Sequence, residues 1–293
     1  MEKHKESRSA GIVAAHRAIE SSKSASERIC YDPFARLFLP SGFTVIGKSE
    51  IPEETALNIF KNIVPGFHEF FLARTRYIDD CLQKYLIDGL EQFVILGAGY
   101  DSRPYRFKEL MNSIKIFEVD HPATQNVKKE KLYEIFQMLP DHVAYVPIDL
   151  RKGNLRDIIS TYGYDRHLKT LFIWEGVTMY LNPEAVNDTL SFVSENTGKG
   201  SSLIFDYTYH EVVTGSYERK EAKEWLKITE KAGEPLLFGI KIGDLEQFLS
   251  ERGFFNINNI TSDYFKNNYF VGINKDREST PILSIAHADI TNQ

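Results

Sequence analysis

The sequence predicts a doubly wound α/β fold with a mostly parallel seven-stranded sheet, an antiparallel last strand and a helical cap. From Gln92 onward, short apolar runs alternate with amphipathic helical segments, as in repeated βα units. The last two candidate strands are separated by only about seven residues, too few for a parallel crossover, so they should pair antiparallel. The first ninety residues show helical rather than strand periodicity and are expected to form the cap.

The helical segment over residues 1–90 is clearest at residues 67–86. Arg74 falls on its apolar stripe, whereas Arg76 falls on the polar face with Glu69, Asp80 and Gln83. We therefore expect Arg74 to be buried and Arg76 to be solvated. The remaining stripe residues recur at helical spacing: Phe67, Phe70, Phe71, Ile78, Cys81, Leu82 and Tyr85.

The core is predicted at residues 91–275, with a charged helical insertion at about 209–235 that forms part of the cap. A helix is expected at about 243–252, ending at Gly253. Residues 276–293 are expected to be a polar, loose tail. The predicted strands are 92–99, 115–120, 143–149, 170–176 and 201–208, followed by the antiparallel pair 254–261 and 269–275.

Composition and charge argue against several functions. The net charge is -6 and Lys and Arg do not cluster, so we expect no nucleic-acid partner. The two cysteines, Cys30 and Cys81, lack a CxxC spacing and a histidine cluster, which favours reduced thiols and no metal site. No signal-like or membrane-length apolar stretch is present, so we expect no membrane association and a cytoplasmic protein. The oligomeric state is left open.

The first predicted strand ends in a glycine turn. Ligands of open α/β sheets bind beyond the carboxyl ends of the strands, and Gly97 and Gly99 would let a ligand approach the backbone there. A dinucleotide motif, GxGxxG, would need a third glycine where Ser102 stands. Asp101 would repel a pyrophosphate but tolerate a cationic ligand. These residues favour S-adenosylmethionine over NAD, although a tight turn without a ligand is the alternative.

Carboxylates end the next two strands. Asp120 could accept hydrogen bonds from both ribose hydroxyls of a nucleotide cofactor. Asp149 could accept from an adenine amino group while the backbone of Leu150 meets a ring nitrogen. Helix capping is the alternative for both aspartates.

Arg74 and Glu175 are charged residues in apolar surroundings. Glu175 follows Leu171, Phe172, Ile173 and Trp174, so it requires a cation, and a methionine ammonium would serve. Arg74 requires an anion, and a methionine carboxylate suits its fork of donors. A salt bridge to another protein residue would satisfy either one.

Several motifs resemble those of one family. LGAGYDSRPYRF, FEVDHP, DLR (149–151) and WEGVTMYL are similar to successive motifs of the leucine carboxyl methyltransferase family, including its bacterial and archaeal small-molecule branch. AAHRAIES, YDPFAR and FLARTRYID extend the likeness over about residues 10–275. The segment 209–235 is not securely covered, so the resemblance does not transfer the acceptor.

The resemblance implies a Rossmann-like class I methyltransferase with S-adenosylmethionine as methyl donor and a carboxyl or hydroxyl oxygen as acceptor. Onto matching positions it carries these roles: Arg74 at the methionine carboxylate, Gly97 and Gly99 under the methionine, Asp120 at the ribose, Asp149 and Leu150 at the adenine, and Glu175 near the amino group.

The predicted function is O-methylation of a small molecule. A carboxylate acceptor needs no base, whereas a hydroxyl acceptor needs one, for which Tyr207, Tyr209 and His210 are candidates. The alternatives are methylation of a protein carboxyl terminus, a non-catalytic S-adenosylmethionine-binding module and an NAD-dependent oxidoreductase.

Overall fold

Short apolar runs of the sequence form the strands of one mixed sheet. The computed structural model describes residues 8–39, 53–110 and 114–291. Within these ranges the strands are β1 (Gln92–Leu96), β2 (Lys115–Asp120), β3 (Val143–Pro147), β4 (Thr170–Trp174), β5 (Ser202–Thr208), β6 (Phe254–Ile260) and β7 (Leu283–Ile290). Every residue of β1, β4 and β5 is buried because both faces of the sheet are covered.

The strand order confirms the predicted doubly wound, mostly parallel sheet. The order is β3-β2-β1-β4-β5-β7-β6, and the first five strands pair in parallel. In the centre, Val94 of β1 pairs with Phe117 of β2 and with Phe172 of β4. The strand order therefore reverses at β1, because β2 and β3 lie on one side of it and β4 and β5 on the other. Such a reversal leaves a crevice at the carboxyl ends of the strands.

The last strand lies farther along the chain than predicted. β6 matches the expected strand, but its antiparallel partner is β7, which inserts between β5 and β6. The predicted strand at 269–275 is wrong: its apolar Val271 and Ile273 are exposed, and residues 272–274 form a 3-10 turn. The predicted loose tail is also wrong over residues 283–290, because these form the largely buried strand β7.

Helices cover both faces of the sheet. Along β1, Phe93 and Ile95 face one core cluster, whereas Val94 and Leu96 face the other. Residues 1–7, 40–52, 111–113 and 292–293 lie outside the described residues. The helices are α1 (Arg8–Ser21), α2 (Glu53–Ile63), α3 (Phe67–Ile87), α4 (Arg103–Arg106), α5 (Pro122–Phe136), α6 (Leu155–Thr161), α7 (Pro183–Glu195), α8 (His210–Val213), α9 (Lys220–Ala232), α10 (Leu245–Ser250) and α11 (Ser262–Asn268).

Helices outside the βα units lie at both ends of the chain's parallel strands. At the N-terminal end, Arg17 of α1 donates from Nη2 to the carbonyl oxygen of Tyr100 at 2.6 Å, which ties α1 to the glycine turn. After β5, the segment predicted as a charged helical insertion contains α8 and α9.

Among the described helices, none combines the length and apolar character needed to span a bilayer.

Candidate active site

The glycine turn after β1 is closely packed. Gly97 and Gly99 have φ angles of +69° and +43°, in the left-handed region that favours glycine. A Cβ atom on Gly97 would lie 2.3 Å from Cγ2 of Val177, in the loop that follows β4. The backbone at this point can therefore approach its neighbours only because the side chain is absent.

Asp120 at the end of β2 is held by the turn itself. Its Oδ2 accepts a hydrogen bond from the backbone N–H of Gly99 at 2.6 Å, and its Oδ1 accepts from that of His121 at 2.6 Å. Burial raises the pKa of the Asp120 carboxyl, and these two amides counteract part of that effect. Each carboxylate oxygen keeps further lone-pair capacity for a ligand hydroxyl.

Asp149 after β3 is oriented by Arg151, which belongs to the DLR motif but was given no role from the sequence. Arg151 donates from Nε to Oδ1 at 2.8 Å and from Nη2 to Oδ2 at 2.9 Å, a bidentate arrangement. The hydrogen bonds from Arg151 lower the pKa of Asp149. The neighbouring Leu150 is half-buried.

One cleft of about 780 Å³ joins these residues. Its wall includes the glycine turn, Asp120 and the pair Asp149 and Leu150, and residues 231–235 at the end of α9 border it. Its volume lies within the range of about 300–1,000 Å³ that is common for ligand sites. We call it the long cleft. The structure thus brings together five residues that the sequence singled out separately: Gly97, Gly99, Asp120, Asp149 and Leu150.

The two remaining predicted residues, Arg74 and Glu175, lie beside the long cleft and contact each other. They line a pocket of about 70 Å³ that shares Gly97 and Gly99 with the cleft. Nη2 of Arg74 lies 2.9 Å from Oε1 of Glu175, so each satisfies part of the other's charge. The salt bridge that the sequence allowed as an alternative is therefore present.

Asp206 is a second partner of Arg74 that was not predicted. Nη1 of the arginine donates to Oδ2 of Asp206, whose Oδ1 accepts from the backbone N–H of Gly176 at 2.6 Å. Burial raises the pKa of Asp206, and Arg74 opposes this effect. The signal for this residue was an acid within the otherwise apolar strand SSLIFDYT.

Arg74 still has an unused donor. Its side chain is buried, and among the described residues its Nε finds no hydrogen-bond partner. A buried guanidinium N–H without an acceptor is costly. An anionic ligand group at this point would satisfy it.

Arg103 connects acids from three parts of the chain. Its Nη1 donates to Asp101 at 2.5 Å and to Glu175 at 2.8 Å, and its Nε donates to Asp79 at 2.7 Å. Burial alone would raise the pKa of Glu175, but Arg74 and Arg103 outweigh it and lower the pKa to about 2. Glu175 is therefore ionised. The carboxylate of Asp101 is paired with Arg103, so its charge is compensated within the protein.

A second cavity, of about 260 Å³, adjoins the long cleft and is mainly apolar. We call it the apolar chamber. Ser9, Tyr180, Ala232 and Glu234 line both cavities and so mark their junction. Part of the chamber wall is formed by one face of α3 and one face of α9, at helical spacing: Phe67, Phe71, Arg74, Trp225, Ile228, Thr229 and Ala232.

The family model described as leucine carboxyl methyltransferase matches residues 10–194, a range that includes all seven predicted binding residues. The chain belongs to the leucine carboxyl methyltransferase family. It is an S-adenosylmethionine-dependent methyltransferase, and S-adenosylmethionine is its methyl donor.

Relatives agree with this membership. The chain is 34% identical over 217 residues to YktD of Bacillus subtilis, named as a candidate S-adenosyl-L-methionine-dependent methyltransferase; the match covers 74% of this chain and 71% of the relative. A relative named in the same way, from Mycolicibacterium vanbaalenii, is 35% identical over 144 residues, covering 49% and 48%. Several further matches span less than two thirds of the relatives' length.

The fold is shared with more distant methyltransferases. A candidate methyltransferase from Thermobifida fusca superposes with a TM-score of 0.61 at 11% sequence identity, covering 99% of this chain and 97% of that one. At this identity the likeness shows a class I methyltransferase fold and nothing further. The fold predicted from the sequence is thereby confirmed.

The three candidate bases of this methyltransferase lie away from both cavities. The Tyr207 hydroxyl donates to Asn259 at 3.1 Å, the Tyr209 hydroxyl lies 3.0 Å from that of Ser284, and His210 is exposed. None is part of the described walls of the chamber or the long cleft. For Tyr207 the reason is the alternation of β5, which directs its side chain to the opposite face of the sheet from Asp206.

The described residues include no group of three or more His, Cys, Asp or Glu side chains that could hold a metal ion. The two thiols, Cys30 and Cys81, are buried and free. Burial raises the pKa of Cys81 to about 11, so it keeps its proton near neutral pH.

Proposed function

We propose that this methyltransferase transfers a methyl group to a carboxylate or hydroxyl oxygen of a small molecule bound in the apolar chamber. The observation that carries the proposal is the junction of the two cavities, where Ser9, Tyr180, Ala232 and Glu234 belong to both walls. A donor in one cavity and an acceptor in the other would meet there. The volume of about 260 Å³ suits a small molecule.

In this proposal the long cleft holds the cofactor. Asp120 would accept from the ribose hydroxyls, while Asp149 and the backbone of Leu150 would meet the adenine. Gly97 and Gly99 would lie under the methionine part. The cleft's edge of carboxylates and glycine backbone is chemically suited to a neutral sugar and a cationic sulfonium.

The methionine end would meet the charged cluster around Arg74. The unpartnered Nε of Arg74 would donate to the methionine carboxylate, and Glu175 would accept from the ammonium. Asp206 would keep the guanidinium in place through the contact that it already makes. Both charges of an amino acid thus have a counterpart in this buried cluster.

The chain's own contribution to catalysis is positioning and exclusion of water. S-adenosylmethionine supplies a methyl group activated by its sulfonium, so no nucleophilic side chain is required. The helices α3 and α9 enclose the acceptor in apolar surroundings, which fixes its orientation and removes solvent from the reacting oxygen.

The test is transfer from labelled S-adenosylmethionine to a panel of small carboxylic acids and phenols, with peptides ending in a free or an amidated carboxyl terminus as comparison. The proposal expects label on small molecules and none on peptides. Label on free-terminus peptides alone would replace it with protein carboxyl methylation.

A further inference from the structure

The charges on the chamber wall bear on the chemistry of the acceptor. Among the described lining residues, Arg74 is the cation, and Asp206 and Glu234 are acids. Arg74 is already paired with Asp206 and with Glu175. A carboxylate entering the chamber would lie near these acids, and the remaining donor of Arg74, Nε, is the one that the proposed function assigns to the methionine carboxylate. The wall therefore favours an acceptor without charge.

The rest of the wall favours an apolar and flat acceptor. Phe67 packs edge-on against Trp225 with ring centroids 5.1 Å apart, and against Phe71 at 6.0 Å. Rings arranged in this way present both edges and faces to a bound ring. With a volume of about 260 Å³, the chamber suits a molecule with one or two rings.

Among the described residues at the junction, one side chain can act as the base that takes a proton from the acceptor. Burial raises the pKa of the Tyr180 hydroxyl above its ordinary value, so it keeps its proton. Ser9 carries only a neutral hydroxyl and Ala232 has no functional group. Glu234, half-buried directly after α9, is the carboxylate that borders both cavities. It is placed where an acceptor oxygen would lose its proton.

We propose that the acceptor is an uncharged apolar hydroxyl compound of the phenol class, and that Glu234 accepts its proton during methyl transfer. This inference rests on the proposed function. The acceptor O–H bond breaks and its proton passes to the Glu234 carboxylate. The oxygen forms a bond to the methyl carbon, the carbon–sulfur bond breaks, and its electron pair remains on a neutral thioether sulfur.

The first experiment compares binding of a matched pair, 4-propylphenol and 4-propylbenzoate, by calorimetry in the presence of S-adenosylhomocysteine. We expect the phenol to bind at least about tenfold more tightly, because the benzoate brings a charge beside the wall's acids. Trp225→Ala should weaken phenol binding, which places it in the chamber. Equal or tighter binding of the benzoate would overturn the inference.

The second experiment compares Glu234→Gln with Glu230→Gln, an exposed acid on α9 that lines neither cavity. Transfer to 4-propylphenol should fall about 100-fold or more in Glu234→Gln while the phenol dissociation constant changes little, since removal of a general base affects the chemical step. Glu230→Gln should match the wild type.

The pH profile separates a proton acceptor from a packing residue. The residual rate of Glu234→Gln should rise steeply with pH as the phenol ionises, whereas wild-type transfer, in which Glu234 takes the proton, should depend on pH much less near neutrality. A Glu234→Gln variant with wild-type rate and profile would refute the role of Glu234. Transfer to benzoates but not phenols would overturn this inference alone, and transfer to neither series would overturn the proposed function as well.

Discussion

The burial of Arg74 and the charge of its partner can be predicted from its position in the sequence. Its place on an apolar helical stripe predicts burial and an anionic partner, and both are found. Its partners, Glu175 and Asp206, come from strands about 100 and 130 residues farther along the chain. No local pattern can choose between a protein acid and a ligand carboxylate. The geometry leaves room for both, since Nε has no partner among the described residues.

Replacement of Arg74 should therefore affect folding as well as binding. Arg74→Ala leaves Asp206 and Glu175 buried with less compensation, so the free energy of unfolding should fall by about 3–5 kcal/mol. Arg76→Ala removes an exposed pair with Asp80, a hydrogen bond to the carbonyl oxygen of Ile29 and a contact with the Tyr269 ring, and should cost no more than about 1 kcal/mol. Urea denaturation of both variants provides the measurement. Equal losses would mean that Arg74 is not a buried charge.

The packing of the glycine turn can be tested by comparing alanine variants of two glycines that both have a positive φ angle. Gly97→Ala and Gly163→Ala both place a side chain at positive φ, but only the Cβ at position 97 would meet another atom, at 2.3 Å from Val177. We expect the Gly97→Ala variant to lose about 1–3 kcal/mol more of its unfolding free energy than Gly163→Ala. Denaturant titration measures the difference, and similar losses would show that close packing at the turn is unimportant.

At the scale of elements, the sequence predicts the parallel strands well and the last strand poorly. β1 to β5 are short apolar runs with small or acidic residues at or just after their ends, a pattern that can be recognised locally in the sequence. β7 carries Ser284, His287 and Asp289, which suggest a polar tail. These polar groups are tolerated because each has a tertiary partner, such as Tyr77 and Tyr85 for His287. Such partners are not visible in a local pattern.

The position of His287 predicts a pH-dependent contribution of β7 to stability. Its Nδ1 lies 2.8 Å from the Tyr77 hydroxyl and its Nε2 lies 2.9 Å from that of Tyr85, both on α3. Burial lowers the pKa of His287 from 6.5 to about 4. Between these values the unfolded chain binds a proton that the folded chain excludes, so the free energy of unfolding falls as the pH is lowered.

The measurement is urea denaturation of wild type and His287→Gln between pH 7.5 and about 4.5. At pH 7.5 the variant should be less stable, because it loses the two tyrosine contacts. The gap should narrow by up to about 1.4 kcal/mol per pH unit below pH 6.5. A gap that is independent of pH would show that the histidine is not held neutral.

At the scale of the whole molecule, the site is assembled from distant parts of the chain. Five strands deliver Gly97, Asp120, Asp149, Glu175 and Asp206 to the same end of the sheet. The first four could be predicted because parallel strands align their carboxyl ends, whereas Asp206 lies within its strand and was missed. The apolar chamber could not be predicted in detail. Its walls come from α1, α2, α3 and α9, whose mutual packing depends on contacts between segments far apart in sequence.

We propose that the long cleft binds S-adenosylmethionine through Asp120. The most direct measurement is calorimetric titration with S-adenosylmethionine, S-adenosylhomocysteine and NADH of the wild type, of Asp120→Ala and of Asp141→Ala, an exposed aspartate outside the described wall of the cleft. We predict binding of the two sulfur ligands and not of NADH, about tenfold or more weaker in Asp120→Ala and unchanged in Asp141→Ala. Binding of NADH, or unaltered binding of the sulfur ligands by Asp120→Ala, would contradict this account.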